Sequence, residues 1–275
     1  MKCATVIGGR GFIGRALVHH LRETGWQCWV PERDCSWPVQ ERELGHVFYC
    51  AGLTADFLQR PADTVEAHVS LLSRVLQSPS YTSLVYLSST RLYDGLAPGA
   101  LAHESSLIPV APSNSRHFYD LTKLTGESIC HVMGQGRARI ARLSCVYDLG
   151  HAAGGFLPTL LDQLAQLPPG GVLTVESSPG RARDYVFIGD VLRALVAMAL
   201  GGEHTTYNVA SGCNLRNEEL AQWISRESGR QLRFTTDERV PAPPAIDTSL
   251  LRQEFGWEAA SVLTQIRPFL ASLPR

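Results

Sequence analysis

The segment Gly8-Gly9-Arg10-Gly11-Phe12-Ile13-Gly14 follows an apolar run at residues 3–7 and precedes a stretch with apolar residues at helical spacing. Few folds put such a loop between a strand and a helix. Gly8, Gly11 and Gly14 are spaced so that the backbone can turn sharply, approach a pyrophosphate and pack the helix against the strand. The helix N-terminus then offers free N–H groups and the positive end of its dipole to phosphates. A glycine triplet alone is no more than a tight turn; the strand before it and the helix after it are the context that dinucleotide binding requires. Gly8, Gly11, Phe12, Ile13 and Gly14 are therefore candidate cofactor-binding residues.

Beyond the loop, short apolar runs at 27–30, 46–50, 83–88 and 138–143 alternate with helical segments at about 62–77 and 115–133. This is the pattern of an α/β protein with a doubly wound parallel sheet, a Rossmann core. Only about fifteen residues, including Pro31 and Pro38, separate the second run from the third. A full crossover helix plus strand does not fit there, so the sheet edge on that side is expected to be curtailed. After residue 145, Pro168-Pro169-Gly170-Gly171 and Ser178-Pro179-Gly180 break the texture. A helix at 187–200, short strands at 206–210 and 231–235 around a helix at about 215–228, and two terminal helices follow. The expected division is a core of 1–145 with late elements from 184–210, and a small C-terminal substrate lobe of 146–183 and 211–275.

The 275 residues carry a formal net charge of −1 with acids and bases interspersed, which gives no footprint for nucleic acid or a membrane surface. Seven cysteines without a C-x-x-C pair, and nine histidines without ligand spacing, argue against a disulfide framework or a metal site. The start of the chain does not read as a signal peptide, and no apolar stretch has the length of a membrane span. A soluble cytoplasmic protein with reduced thiols is the expectation.

The second strand ends at Val30-Pro31-Glu32-Arg33. Glu32 is placed to hydrogen-bond the ribose hydroxyls of NAD, whereas Arg33 with Arg10 could clamp the 2′-phosphate of NADP. NAD is expected, with NADP as the alternative. Tyr119 and Lys123, four apart on one helix, share a face. An ammonium beside the phenol would lower its pKa from about 10 toward working pH, so that Tyr119 could move a proton between an alcohol and a carbonyl. Ser88, Ser89 and Thr90 end the fourth apolar run, where an open α/β sheet places ligands.

The ordered set of glycine loop, Ser-Ser-Thr and Tyr-x-x-x-Lys resembles the extended short-chain dehydrogenase/reductase family, in its NAD-dependent epimerase/dehydratase branch. Tyr49-Cys50-Ala51-Gly52, Arg142-Leu-Ser-Cys-Val-Tyr147, Arg183-Asp-Tyr-Val-Phe-Ile-Gly-Asp190, Tyr207-Asn-Val-Ala-Ser-Gly212 and Phe255-Gly-Trp257 are similar to its landmarks and come in the same order. The resemblance implies catalytic roles for Ser89, Tyr119 and Lys123, with Lys123 also on the nicotinamide ribose. It implies cofactor contacts at Ala51 and Gly52, and substrate contacts at Thr90, Arg91, Cys145, Arg183 and Arg239. It also implies a homodimer built on the helices at 62–77 and 115–133, with Val65, Val69, Leu72 and Val75 supplying apolar spacing.

The expected activity is a 4-epimerase or ketoreductase acting on a nucleotide sugar; reduction of a non-sugar carbonyl and non-catalytic NAD(P) sensing are the alternatives. Several departures bear on the substrate. Cys145 and His68 each stand where the family usually has asparagine, and Asp148 stands in place of a glycine. Thr90-Arg91 occupies the place of the Asp-Glu pair that dehydratases of the branch use for elimination. Arg91 is expected to hold an anionic substrate group or to pair with an acid such as Glu104.

Overall fold

The computed structural model describes residues 2–149 and 154–274; residues 150–153 of the expected lobe lie outside the described residues. In chain order the elements begin β1 (Cys3–Ile7), α1 (Phe12–Glu23), β2 (Gln27–Trp29) and β3 (Gly45–Tyr49). Next come α2 (Pro61–Val65), a π-helical turn (Glu66–Ser70), α3 (Leu71–Leu76), β4 (Tyr81–Ser89) and a 3₁₀ turn (Thr90–Tyr93). β5 (Leu101–Ala102), α4 (Phe118–Met133), β6 (Ala138–Leu143), β7 (Cys145–Tyr147), α5 (Phe156–Ala165) and β8 (Val172–Val175) follow. The chain continues through β9 (Ala182–Phe187), α6 (Ile188–Gly201), β10 (Thr206–Val209), β11 (Asn214–Arg216) and α7 (Asn217–Ser228). It closes with β12 (Gln231–Phe234), β13 (Ala245–Ile246), α8 (Ser249–Phe255) and α9 (Val262–Ser272).

Six strands form one parallel sheet in the order β10-β6-β4-β3-β1-β2. Both faces are covered, which is why its strands read as unbroken apolar runs rather than as alternation. Period two still divides them. Phe48, Val85, Leu87 and Ala141 pack on one face with Leu17 and Leu21 of α1 and Val191 and Leu195 of α6. Val47, Tyr49, Leu84, Tyr86 and Ile140 pack on the other with Leu72 and Val75 of α3 and Cys130 of α4.

The sheet ends at the three-residue β2, so the edge is curtailed as the short spacing predicts. An irregular segment covers that flank instead. Trp37 and Val39 join the second core cluster, the Trp37 ring lies 6.1 Å from Trp29, and the Arg42 guanidinium sits 4.6 Å from the Trp29 ring.

A separate apolar cluster unites Leu157, Leu160 and Leu164 of α5, Leu220 and Ile224 of α7, and Ile266 and Leu270 of α9. β8 and β12 pair in parallel beside it. The fully buried Arg230 donates to the carbonyls of Leu167, Ser228 and Pro274, satisfying groups that would otherwise be orphaned there.

Helix α4 is fixed by a buried ion pair. Glu127 accepts from Nε and Nη2 of Arg142 at 2.9 and 2.6 Å, and from the Ser88 hydroxyl at 2.6 Å. Arg142 also donates to the Tyr93 hydroxyl and the Glu104 carbonyl. Removing one partner of such a pair leaves an uncompensated buried charge. Glu127→Leu is expected to destabilise the protein by about 3–5 kcal/mol, seen as a lower urea midpoint. A midpoint equal to that of the unaltered protein would show that the pair does not anchor α4.

Candidate active site

β1 and β3 are neighbours, yet the chain leaves β1 toward β2 and β3 toward β4, in opposite directions across the sheet. The crevice outside the carboxyl ends of two such strands is where an open α/β sheet binds its ligand. Gly8 has φ +77°, a left-handed conformation that favours glycine, and a Cβ on it would come within 2.7 Å of the Ala51 nitrogen. A Cβ on Gly14 would collide with the Gly8 carbonyl. The loop after β1, the start of α1 and the turn after β3 therefore meet at backbone contact. Gly11 caps α1 without a side-chain hydrogen bond, so the helix N–H groups stay available to phosphate. This backbone cradle fits a dinucleotide pyrophosphate.

Beyond β2, Arg10 Nη2 donates to both carboxylate oxygens of Glu32 at 2.5 Å, and both side chains are exposed. Arg33 is exposed beside them. The two charges that sequence treats as competing for cofactor choice are thus clasped to each other.

At the end of β4, the Ser89 hydroxyl accepts the Arg91 backbone N–H at 3.2 Å and stands on the side of Tyr119 that favours its ionised form. Tyr119 is buried, with Phe57 at 5.5 Å and His68 edge-on at 5.5 Å between ring centroids. Burial raises the Tyr119 pKa, while Ser89 and Arg91 act in the opposite direction. Lys123 shares the buried face of α4 with Tyr119. Its Nζ donates to the Leu87 carbonyl at 2.8 Å and lies 6.0 Å from the Tyr119 ring. Burial brings the Lys123 pKa down to about 7, against the pull of Glu127 and Cys50.

His68 ties these parts together, and sequence marks it only as a departure. The Thr122 hydroxyl donates to the Tyr119 carbonyl at 2.8 Å, so its oxygen takes the His68 Nδ1 hydrogen at 2.9 Å. His68 Nε2 is then the acceptor for the Leu53 N–H at 3.2 Å. That neutral tautomer agrees with a pKa held near 3, by burial first and then by Lys123. The π-helical turn places the ring, and the Tyr49 and Tyr86 hydroxyls donate to the Ala67 and His68 carbonyls of that turn.

On the substrate side, Arg91 lies with its guanidinium carbon 5.0 Å from both the Phe57 and Tyr119 rings. Its acidic partner is Asp120, at 3.5 Å, and not Glu104, whose carboxylate accepts the Asn208 N–H. Thr90 donates to the Leu143 carbonyl at 3.3 Å. Cys145 stands at the start of β7, paired in register with Tyr185, and burial of its thiol pushes its pKa up against the nearby Arg183 charge. Arg183 stacks 4.3 Å over Phe156. Arg239 is exposed in the β12–β13 loop, between Glu238 and Val240, which help line a lobe cavity of about 400 Å³ with Glu176, Ser178 and Arg181. Ser89, Arg91, Tyr119 and Lys123 thus converge. Phe57 and Asp120 complete their surroundings and carry no motif that announces them. Among the described residues no group of three or more His, Cys, Asp and Glu is placed to hold a metal, and no helix is long and apolar enough to cross a membrane.

Comparison with known proteins agrees with this fold. An uncharacterized UDP-glucose epimerase of Bacillus subtilis, YtcB, is 26% identical over 208 residues, which span 71% of this chain and 62% of that protein. RMD from Pseudomonas aeruginosa, solved with NADPH, superposes with a TM-score of 0.75 at 21% identity over 99% of this chain and 98% of its own. A dTDP-glucose 4,6-dehydratase from Bacillus anthracis in complex with NAD gives 0.74 at 19% identity, covering 99% and 95% of the two chains. The UDP-glucose 4-epimerase of Thermotoga maritima, solved with UDP-glucose, gives 0.73 at 17% over 98% and 97%. The sequence model of the NAD dependent epimerase/dehydratase family matches residues 4–210, three quarters of the chain, and this protein belongs to that family of enzymes.

Proposed function

We propose that this enzyme interconverts an alcohol and a ketone on a nucleotide sugar, as an NAD(P)-dependent epimerase or ketoreductase. The observation that carries the reading is the convergence of Ser89, Tyr119 and Lys123 at the carboxyl edge of the sheet, next to the glycine cradle. A dinucleotide bound in that cradle supplies a nicotinamide that accepts and returns hydride. Tyr119 Oη takes the proton of the substrate hydroxyl, or gives one to the carbonyl oxygen, and Ser89 holds that oxygen in line. Lys123 positions the nicotinamide ribose. Arginine at position 91 cannot act as the acid that dehydratases of the branch carry there, which favours epimerisation or reduction over dehydration.

The division into a core of 1–145 with 184–210 and a substrate lobe of 146–183 and 211–275 belongs to the same proposal, with Cys145, Arg183 and Arg239 facing substrate between them. The relatives solved with UDP-glucose support a nucleotide sugar as ligand. A cytoplasmic homodimer also belongs to the reading. Leu72 and Val75 turn into the core, so an interface would rest on the outer residues Leu58, Val65 and Val132, which are exposed. Light scattering at micromolar concentration is expected to give twice the chain mass; a single-chain mass sinks the dimer.

Tyr119→Phe is expected to lower turnover of the responsive nucleotide sugar at least about a hundredfold while cofactor binding persists. Retained turnover would falsify the assignment. For the cofactor, Glu32 should favour NAD, but Arg10 already neutralises part of its charge. Calorimetry is expected to show NAD binding more tightly than NADP, and Glu32→Ala shifting the ratio toward NADP by about tenfold or more. If Glu32→Ala leaves the ratio unaltered, Glu32 does not set the choice.

A further inference from the structure

The lobe cavity of about 400 Å³ falls within the size range of small-molecule sites. One wall is the turn between β8 and β9, which carries Glu176, Ser178 and Arg181; the other is the loop after β12, with Thr235, Thr236 and Glu238. Backbone bonds pin both walls. The buried Asn217, first residue of α7, donates from Nδ2 to the Ser177 hydroxyl at 3.0 Å and the Ser178 carbonyl at 2.8 Å. Its own N–H goes to the Arg181 carbonyl at 2.9 Å, and the Thr235 N–H joins the second wall to the Val175 carbonyl at 3.1 Å.

The polar groups on these walls are free to meet a ligand. Among the described residues, the side chains of Glu176, Arg181 and Glu238 take part in no hydrogen bond or ion pair. The Ser178 hydroxyl is buried at the cavity wall without a partner, and a hydroxyl left so destabilises the empty site. The cavity also lies toward the catalytic residues. Asp94, which closes the turn carrying Arg91, feels the charges of both Arg91 and Arg181.

We propose that this cavity selects guanine as the base of the nucleotide sugar, with Glu176 taking its N1–H and N2 amino edge and Arg181 its O6 and N7 edge. The inference rests on a nucleotide sugar as the substrate. Guanine offers two adjacent N–H donors that a carboxylate accepts in parallel, and two adjacent acceptors that match the arginine fork. A cavity lined by both carboxylate and guanidinium is complementary to that base. Uracil and thymine present a single N–H between two carbonyl oxygens, so a carboxylate there meets a second oxygen instead of a second donor. Glu238 on the opposite wall adds to that repulsion. Adenine places an acceptor nitrogen beside its amino group, and its edge likewise leaves one carboxylate oxygen unpaired. A site built to hydrogen-bond two donors rejects a ligand that lacks one, because its own polar group then stays unpaired.

The test needs no turnover. Calorimetry is run with GDP, inosine diphosphate, UDP and ADP on protein saturated with NAD, so that none of them occupies the cofactor crevice. GDP is expected to bind about tenfold or more tightly than each of the other three. Inosine diphosphate lacks only the N2 amino group of GDP. Glu176→Gln is therefore expected to remove most of the GDP advantage over it while leaving UDP unaltered. Arg181→Met is expected to weaken GDP and inosine diphosphate by about tenfold and UDP much less. UDP binding as tightly as GDP, or Glu176→Gln weakening both equally, overturns the guanine assignment and leaves the nucleotide-sugar reading standing. A GDP advantage that survives Glu176→Gln and is lost in Glu238→Gln overturns it as well. If none of the four nucleotides binds, the nucleotide-sugar reading falls with it.

Discussion

Glu127 and Arg142 are both buried, and neither charge could remain in this interior without the other. Because Glu127 is on α4 and Arg142 on β6, their double hydrogen bond fixes the rotation of α4 about its own axis as well as its distance from the sheet. Tyr119 and Lys123 lie two turns and one turn before Glu127, so the pair sets which way they face. The same network reaches Ser88 at the end of β4 and passes through Tyr93 to Asn208. Asn208 in turn holds the carbonyls of Ala102 and Asp247. One buried carboxylate thus links the helix carrying the tyrosine, the strand carrying the serine and the segments that lead into the C-terminal region.

The cofactor side is held by the absence of side chains. Gly8 and Gly14 bring backbone segments together, and at each a Cβ would strike backbone atoms: those of Cys50 and Ala51 at Gly8, and the Gly8 carbonyl at Gly14. Such sites are rigid because packed backbone cannot yield a few tenths of an ångström. The protein therefore uses a charged network to orient its catalytic helix and bare backbone to shape its cofactor crevice.

Local pattern made the fold legible. The apolar runs and helical periods gave strand and helix positions within a few residues, and the short Pro-containing interval before β3 announced the lost sheet edge. The glycine loop was legible because its geometry is local to seven residues. What failed to show was every feature decided by tertiary partners. Nothing near Arg91 in sequence selects Asp120 over Glu104, since both acids are remote along the chain and only packing ranks them. The Tyr119–Lys123 spacing places both side chains on one face, but it cannot say that the Leu87 carbonyl claims the ammonium. The π-helical turn is equally hidden, because it exists to seat His68 between Leu53 and Thr122 under two tyrosine hydroxyls from the sheet.

These tertiary choices leave the site with charges of different kinds. His68 is locked neutral by donating at one nitrogen and accepting at the other, and Lys123 is close to losing its proton at neutral pH. Asp120 is pushed up by burial and pulled down by Arg91 and then His117. Against these, only arginine keeps its charge throughout the working range, and Arg91 is the arginine stacked on Tyr119. A buried phenol needs a compensating cation to ionise, since desolvation acts against the charged form at every pH. Arg91 tolerates its partly buried stack between the Phe57 and Tyr119 rings because its cation is delocalised and weakly hydrated.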